Sequence, residues 1–270
     1  GCDTLFNLAA IYAIWLANPR VMYDVNVNGT QSLMDAAMNA GVKRIVHTSS
    51  IAAVGSHADD SPANEETRFN AWDDVNDYVM SKYISELEVH RMCKEGLPAV
   101  IVNPAFPFGW GDTAPTPTGN IVQQILRGVP FYFDGGFNAV GVRDVAMGHW
   151  LAARYGTVGR RYILGNENLS YIEFTRRVAQ IGDVKVPTRC LSRPMMLKLG
   201  QLGDLIADKV THKPPLLAEK TLKYTVGRYL YFDISRAREE LGYSPAPIND
   251  SIKDAVKWFQ TGRKELKHSA

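Results

Sequence analysis

Tyr78 and Lys82 stand four residues apart, a spacing that puts both side chains on one face of a helix. An ammonium beside a phenol favours the phenolate and draws its pKa down from about 10. A Tyr so tuned is a general acid/base for interconverting an alcohol and a carbonyl. The pair alone is unspecific: with 12 Tyr and 30 Lys+Arg in 270 residues, about one Tyr-x-x-x-Lys/Arg arises by chance. Tyr224–Arg228 is a second instance. Position adds weight to the first. Ser49 and Ser50 end the segment KRIVHTSS (43–50), and Asn103-Pro104 ends LPAVIVNP (97–104). If both segments are parallel strands, a hydroxyl, a phenol and an ammonium meet at the carboxyl end of one sheet, where open α/β sheets hold ligands. A Ser pair at a strand exit is also an ordinary turn.

The elements that must position these residues alternate. DTLFNLAA (3–10) reads as a short strand running into a loop. A helix is predicted over about 19–40, with Met22, Val25, Leu33 and Ala37 on one face and Gly41 closing it. A strand over 43–50, a polar loop (56–67), a helix over 75–95 and the apolar strand over 97–104 follow. Strand–helix–strand at this spacing means a parallel sheet with helical crossovers. Beyond Pro104 the Gly-, Pro- and Thr-rich stretch 106–120 is too long for a tight connection. The remainder mixes helices and short strands. Asp144 is placed to cap a helix over 141–156, Ser235 to cap one that Gly242 stops, and 251–260 forms an amphipathic closing helix. The fold class is therefore α/β, a parallel sheet with helices on both faces, plus a smaller C-terminal α+β lobe.

Composition removes several functions. Thirty Lys+Arg against 28 Asp+Glu give a net charge of +2, too balanced for a nucleic-acid or membrane-surface binder. No apolar run approaches the roughly 20 residues of a membrane span. Cys2, Cys93 and Cys190 are widely spaced and build neither a disulfide framework nor a metal knuckle. They fit a reducing, cytoplasmic setting, and no metal is expected.

LFNLAA, NVNGTQSLMDAA, VKRIVHTSS, YVMSK, VNP, VRDVAMGH and DISRAREELGYSP occur in order. Together they resemble the extended short-chain dehydrogenase/reductase, or NAD-dependent epimerase/dehydratase, family over nearly the whole chain. NPAFPFG, PTPTGN and RYILGNENLS look most like its dihydroflavonol-4-reductase-like branch, which includes hopanoid-associated sugar epimerases. The resemblance implies a Rossmann-like fold and NAD or NADP as cofactor. It makes Tyr78 the acid/base, gives Lys82 the tuning of Tyr78 and a hydrogen bond to the nicotinamide ribose, and has Ser50 hold the substrate oxygen. It places Ala9 and Ala10 in the loop passing the cofactor, Asn26 in support of the site, and Val102, Asn103 and Pro104 beside the nicotinamide. It also implies a homodimer through a helical pair that includes the helix bearing Tyr78.

Two departures stand out. Asn7 occupies a place where the family usually has His. No Gly-rich phosphate turn precedes Gly29, so the chain is expected to lack the first βαβ segment and, with it, the side chain that selects NAD or NADP. On this reading 1–108 form an incomplete dinucleotide-binding domain to which 139–156 return, and 109–270 are mainly a substrate-binding lobe.

Three reactions share the scaffold. Dehydratases of the family carry an Asp-Glu pair after the catalytic hydroxyl, where this chain has Ile51 and Ala52, so dehydration is disfavoured. Interconversion of a secondary alcohol and a ketone by reduction or oxidation, and epimerisation of a sugar through a transient ketone, both need only Ser50, Tyr78 and Lys82. A nucleotide-sugar site should offer basic side chains to a diphosphate. The loop after Pro104 instead offers Phe106, Phe108 and Trp110, followed by Phe131, Tyr132 and Phe133, a lining suited to an apolar small molecule. Phe106 is the candidate substrate contact. Lobe core is an equally ordinary fate for such aromatics, and Arg143 could meet an anion or simply pair with a carboxylate. The expected function is an NAD(P)-dependent reductase, with an epimerase as the alternative and a non-catalytic dinucleotide-binding protein or inactive fragment as a third.

Overall fold

The computed structural model describes residues 1–13, 16, 18–114, 116–211, 215 and 218–262. The first half runs β1 (Thr4–Asn7), α1 (Arg20–Tyr23), a π-helical turn (Asp24–Gly29), α2 (Thr30–Asn39), β2 (Arg44–Thr48), α3 (Asp77–Lys94) and β3 (Ala99–Pro104). It continues through β4 (Phe106–Phe108), α4 (Pro117–Leu126), β5 (Phe131–Phe133), β6 (Gly136–Gly141), α5 (Val142–Tyr155) and β7 (Arg161–Leu164). Then follow β8 (Glu167–Ser170), α6 (Tyr171–Gly182), β9 (Arg189–Leu191), α7 (Arg193–Ile206), α8 (Glu219–Thr225), β10 (Tyr229–Leu230), α9 (Ser235–Leu241) and α10 (Ile248–Lys257).

β1, β2, β3 and β7 pair in that order, all parallel. The two faces of β2 and β3 are covered differently, as alternation requires. Ile45, Ala99 and Ile101 pack with Met34 and Ala37 of α2 and Val89 and Met92 of α3. Val46, Val100 and Val102 join a larger core that includes Ala152 of α5. This is a Rossmann-like α/β layer arrangement. Its fourth strand, β7, comes from the segment assigned above mainly to the second lobe. A second sheet orders β10, β6 and β4, with β8 antiparallel to β6, and β5 pairs β9. The larger core runs without a break from the first sheet into Phe108, Phe137, Phe174 and Ile252.

Three local expectations are corrected. The predicted helix over 19–40 contains a π turn, and the inward residues are Met22, Asn26, Thr30, Met34 and Ala37. Val25 is exposed and Leu33 only half-buried, because the wider turn rotates the face away from the one that α-helical spacing predicts. Asp144 does not cap α5, whose N-cap is Gly141; its carboxylate accepts the Ala246 N–H at 3.1 Å. Ser235 is the first helical residue of α9 and Ile234 the cap, while the Asp233 carboxylate accepts from both the backbone N–H and the hydroxyl of Ser235. Gly242 does end that helix, in the left-handed region with φ 69°. Among the described residues no helix is long and apolar enough to cross a membrane.

Candidate active site

Ser50 leaves β2 and caps a 3-10 turn over Ile51–Ala53, its Oγ accepting the Ala52 N–H at 3.1 Å. α3 starts where the Asn76 side chain accepts the Val79 N–H at 2.9 Å. That cap puts Tyr78 in the first turn and Lys82 one turn further. The structure brings Tyr78 beside Ser50: burial raises the Tyr78 pKa, and a hydrogen bond with the Ser50 hydroxyl pulls the other way. Lys82 is buried, and its Nζ donates to the Thr48 carbonyl at 2.7 Å. Burial draws its pKa down to about 8, against an upward pull from Glu86. Removal from water is the larger effect on Tyr78 and leaves it a neutral phenol at pH 7.

The loop after β1 is held from below. Asn7 Oδ1 accepts the Ala9 N–H at 3.2 Å, and Asn7 Nδ2 donates to Nδ1 of His47, its partner in register across the sheet, at 3.1 Å. Nδ1 being the acceptor, Nε2 carries the proton toward Ser85 Oγ at 3.4 Å. Asn26 is almost wholly buried inside the π turn. Its Oδ1 accepts from Ile11 N at 2.7 Å, and its Nδ2 donates to Ile11 O at 3.1 Å and Ser81 Oγ at 2.9 Å. It thus ties the loop that carries Ala9 and Ala10, both exposed, to the helix that carries Tyr78. Along β3 the Val102 side chain belongs to the core, and Asn103 Nδ2 donates to the Ser50 carbonyl at 2.8 Å. Pro104 is half-buried at the strand end. On the other face of the sheet Thr48 Oγ1 meets His149 Nε2 at 2.8 Å, with His149 Nδ1–H donating to Val145 O.

The aromatic lining expected after Pro104 is mostly lobe core. Phe108 packs on Phe174 and Phe137, with ring centroids 4.5 and 5.8 Å apart. Trp110 lies edge-on to Trp258 at 5.0 Å, and Phe133 packs on Tyr171 at 4.5 Å. Phe106 is half-buried against Phe137. Phenols that reading the sequence did not single out as site residues lie near Tyr78 instead. The Tyr12 ring lies 4.7 Å from that of Tyr78. Tyr171 and Tyr224 are close enough to Tyr12, and Tyr224 to Tyr78, to disfavour each other's ionisation. Tyr224 belongs to the second Tyr-x-x-x-Arg pair, and Arg228 sits over its ring at 5.3 Å. Arg228 is also bound to Ser56 Oγ at 2.8 Å and lies 3.7 Å from Asp74. Arg143 is exposed and lies 3.6 Å from Asp254.

A profile of the NAD dependent epimerase/dehydratase family matches residues 1–165. A Synechocystis protein named putative dihydroflavonol 4-reductase is 35% identical over 96% of this chain and 77% of its own length. The crystal structure of gox2253 is 39% identical and superposes with a TM-score of 0.83 over 97% of this chain and 80% of the other. That of PA4631, a nucleoside-diphosphate-sugar epimerase from Pseudomonas aeruginosa, is 26% identical, with a TM-score of 0.73 over 88% of this chain and 74% of the other.

Proposed function

The chain belongs to the NAD dependent epimerase/dehydratase family, and on that premise we propose that it reduces a ketone to a secondary alcohol, with Tyr78, Ser50 and Lys82 as the catalytic set. The cofactor is NAD or NADP. The residues present fit its nicotinamide end. Lys82 holds a buried ammonium of which one N–H goes to Thr48 O, leaving two to offer to ribose hydroxyls. The exposed Ala9–Ala10 turn, Asn103 and Pro104 flank it at the strand ends. No Gly-rich turn precedes Gly29, and the proposed contacts are those to the nicotinamide end.

When bound, the nicotinamide supplies the hydride. The chain's own part is proton and oxygen chemistry. Ser50 donates a hydrogen bond to the ketone oxygen, and the Tyr78 phenol, kept neutral by burial, gives its proton to that oxygen as negative charge develops. Lys82 is placed to orient the ribose and to offset the phenolate that results. Ile51 and Ala52 are buried apolar residues, and neither can move the protons of a dehydration. The single observation that carries the reading is the convergence of Ser50 and Tyr78 at the carboxyl end of β2 and β3 with the Lys82 ammonium one turn away. The neighbouring phenols and the 35% identical reductase support a ketone substrate with flat or apolar character.

Epimerisation is the second reading, favoured by the likeness to the sugar epimerase; Arg228, the basic side chain beside the phenols, is already committed to Asp74 and Ser56. The test is reduction of a dihydroflavonol and of simple aryl ketones by NADH or NADPH, with Tyr78→Phe alongside. Loss of about 10² to 10⁴ in turnover, with the fold intact by circular dichroism, is expected. Turnover unchanged in the Phe variant would remove Tyr78 from the chemistry. Interconversion of nucleotide-sugar epimers without net cofactor consumption would replace reduction with epimerisation.

A further inference from the structure

The four-residue spacing that links Tyr78 to Lys82 continues along α3 to Glu86 and His90. Glu86 is 3% exposed, a burial that an ionised carboxylate tolerates only when it is paired and fully hydrogen-bonded. It is both. Oε1 takes Arg161 Nη1 of β7 at 2.8 Å, and Oε2 takes Asn103 Nδ2 of β3 at 2.6 Å. The same Asn103 Nδ2 reaches the Ser50 carbonyl at 2.8 Å, so one amide stands between the carboxylate and the residue that presents the candidate hydroxyl. Asn103 is wholly buried, and its Oδ1 has no hydrogen-bond partner, so its side-chain hydrogen bonds are the two made through Nδ2. Arg161 spends its remaining donors on the carbonyls of Glu65, Thr67 and Ala53, which fastens the 3-10 turn after Ser50 and the polar loop to the same carboxylate.

The charges facing this group are few. Lys82 lies one turn before it on α3 and His90 one turn after, with His90 Nε2 at 3.8 Å. Arg161 approaches from β7. His47 from β2 is held neutral by burial, and the Ser49 hydroxyl lies beside the carboxylate. Among these only Glu86 is negative. Arg161 also faces the Glu65 and Glu66 carboxylates of the polar loop, so it is Lys82 that would be left without a compensating negative charge if Glu86 were removed.

We propose that Glu86 is a positioning residue of the site: its carboxylate balances the buried Lys82 ammonium and, through the Asn103 amide, holds the Ser50 carbonyl in place. The role rests on the reading of Ser50 and Lys82 given above, but it acts through neighbours and touches neither substrate nor cofactor. Burial pushes the Lys82 pKa down while Glu86 pulls it up. The Glu86 carboxyl itself is held at about 2, where Arg161, His90 and Ser49 outweigh its own burial. It therefore stays charged throughout the working range.

The test needs no substrate. The full chain is labelled with [ε-13C]lysine, the Lys82 resonance is assigned by its loss in Lys82→Arg, and its titration is followed by NMR. In the wild type the midpoint is expected near 8. Glu86→Gln keeps an acceptor for Asn103 but removes the charge, and the midpoint should fall by about one pH unit or more, about a tenfold loss of ammonium over amine. Because that variant leaves Arg161 unpaired and risks the fold, Glu86→Met with Arg161→Met removes both charges at similar volume, an exchange that folds tolerate. Its Lys82 midpoint should also fall, and the Asn103 side-chain amide protons, reduced to one partner, should exchange with solvent about tenfold faster. An unchanged Lys82 midpoint in either folded variant overturns the electrostatic role, and unchanged exchange at Asn103 overturns the hold on Ser50. Neither result bears on whether Tyr78→Phe abolishes turnover, so the two readings fail separately.

Discussion

His47 is neutral by construction. Its Nδ1 accepts from Asn7 Nδ2, so an added proton at Nδ1 would face another donor inside the core. Burial, aided by the Lys82 charge, holds its pKa down at about 3 against an ordinary 6.5. The linkage has one sign. Below pH 6.5 the unfolded chain binds a proton at this residue and the native chain does not, so stability is full above about pH 6.5 and drains away as the pH falls toward about 3. Between about pH 7 and about pH 5 the unfolded imidazole gains about 1.4 units of protonation free energy, or about 2 kcal/mol at 1.36 kcal/mol per unit. That figure asks only that the folded group titrate below about pH 5. The perturbation is His47→Gln, which can still accept from Asn7 but does not titrate. Urea unfolding of both proteins at the two pH values isolates the term, because His90, His149 and the carboxylates are common to both. The wild type should lose about 2 kcal/mol more than the variant between about pH 7 and about pH 5. Losses equal within about 0.5 kcal/mol would refute the neutral, buried imidazole and, with it, the Asn7–His47 bond that sets the Ala9 turn.

Two further outcomes test the support of the site. Asn26→Ala removes three hydrogen bonds, the buried one to Ser81 and two part-buried ones to Ile11, and should cost about 2–4 kcal/mol by denaturant unfolding. It should also open residues 9–13 to limited proteolysis; a cost below about 1 kcal/mol with the loop still protected would show that the π turn does not anchor it. On the proposed placement of the nicotinamide beside Lys82, and with no Gly-rich turn before Gly29, fluorescence titration of residues 1–270 with NADH and NADPH should give affinities weaker than micromolar, roughly 10⁻⁴ M or worse. Micromolar binding of either would show that these residues cradle the pyrophosphate by another route.

The parts of the fold that could be read in the residues are those governed by a period. The run Ala99–Val102 is apolar at every position because both faces of β3 are covered, and the Tyr78–Lys82 pair stands out because four residues are one turn of α3. The parts that could not be read depend on what lies across the chain. The π turn exists where Asn26 bonds Ile11 and Ser81, partners 15 and 55 residues away, which no local period encodes. Spacing put Lys82 near Tyr78 but did not say where its Nζ would point, and the Thr48 carbonyl captures it. The aromatics after Pro104 have the same composition whether they line a pocket or fill a core. Here β4 turns Phe108 inward onto Phe137 and Phe174, while the phenols at the site come from the loop after β1 and the segments around α6 and α8. Glu86 had a signal, the third rung of the same four-residue ladder, but a carboxylate on a helix is most often an exposed one, and its burial depends on β7 delivering Arg161 and β3 delivering Asn103.

On the proposed chemistry, the electrostatics of the site also set its direction. A proton donor for ketone reduction must hold its proton at working pH and release it only as the alkoxide forms. The burial that raises Tyr78 gives it that property, which a strongly depressed phenol would lack. The same burial weakens Lys82, so the ammonium that must offset the resulting phenolate is the more fragile partner. Above about pH 8 the amine form takes over, and the phenolate left by proton donation would stand beside a neutral Lys82 in a low-dielectric site. The balance therefore turns less on Tyr78 than on the negative charge that keeps Lys82 protonated, and in this chain that charge is carried by Glu86 at the next turn of the same helix.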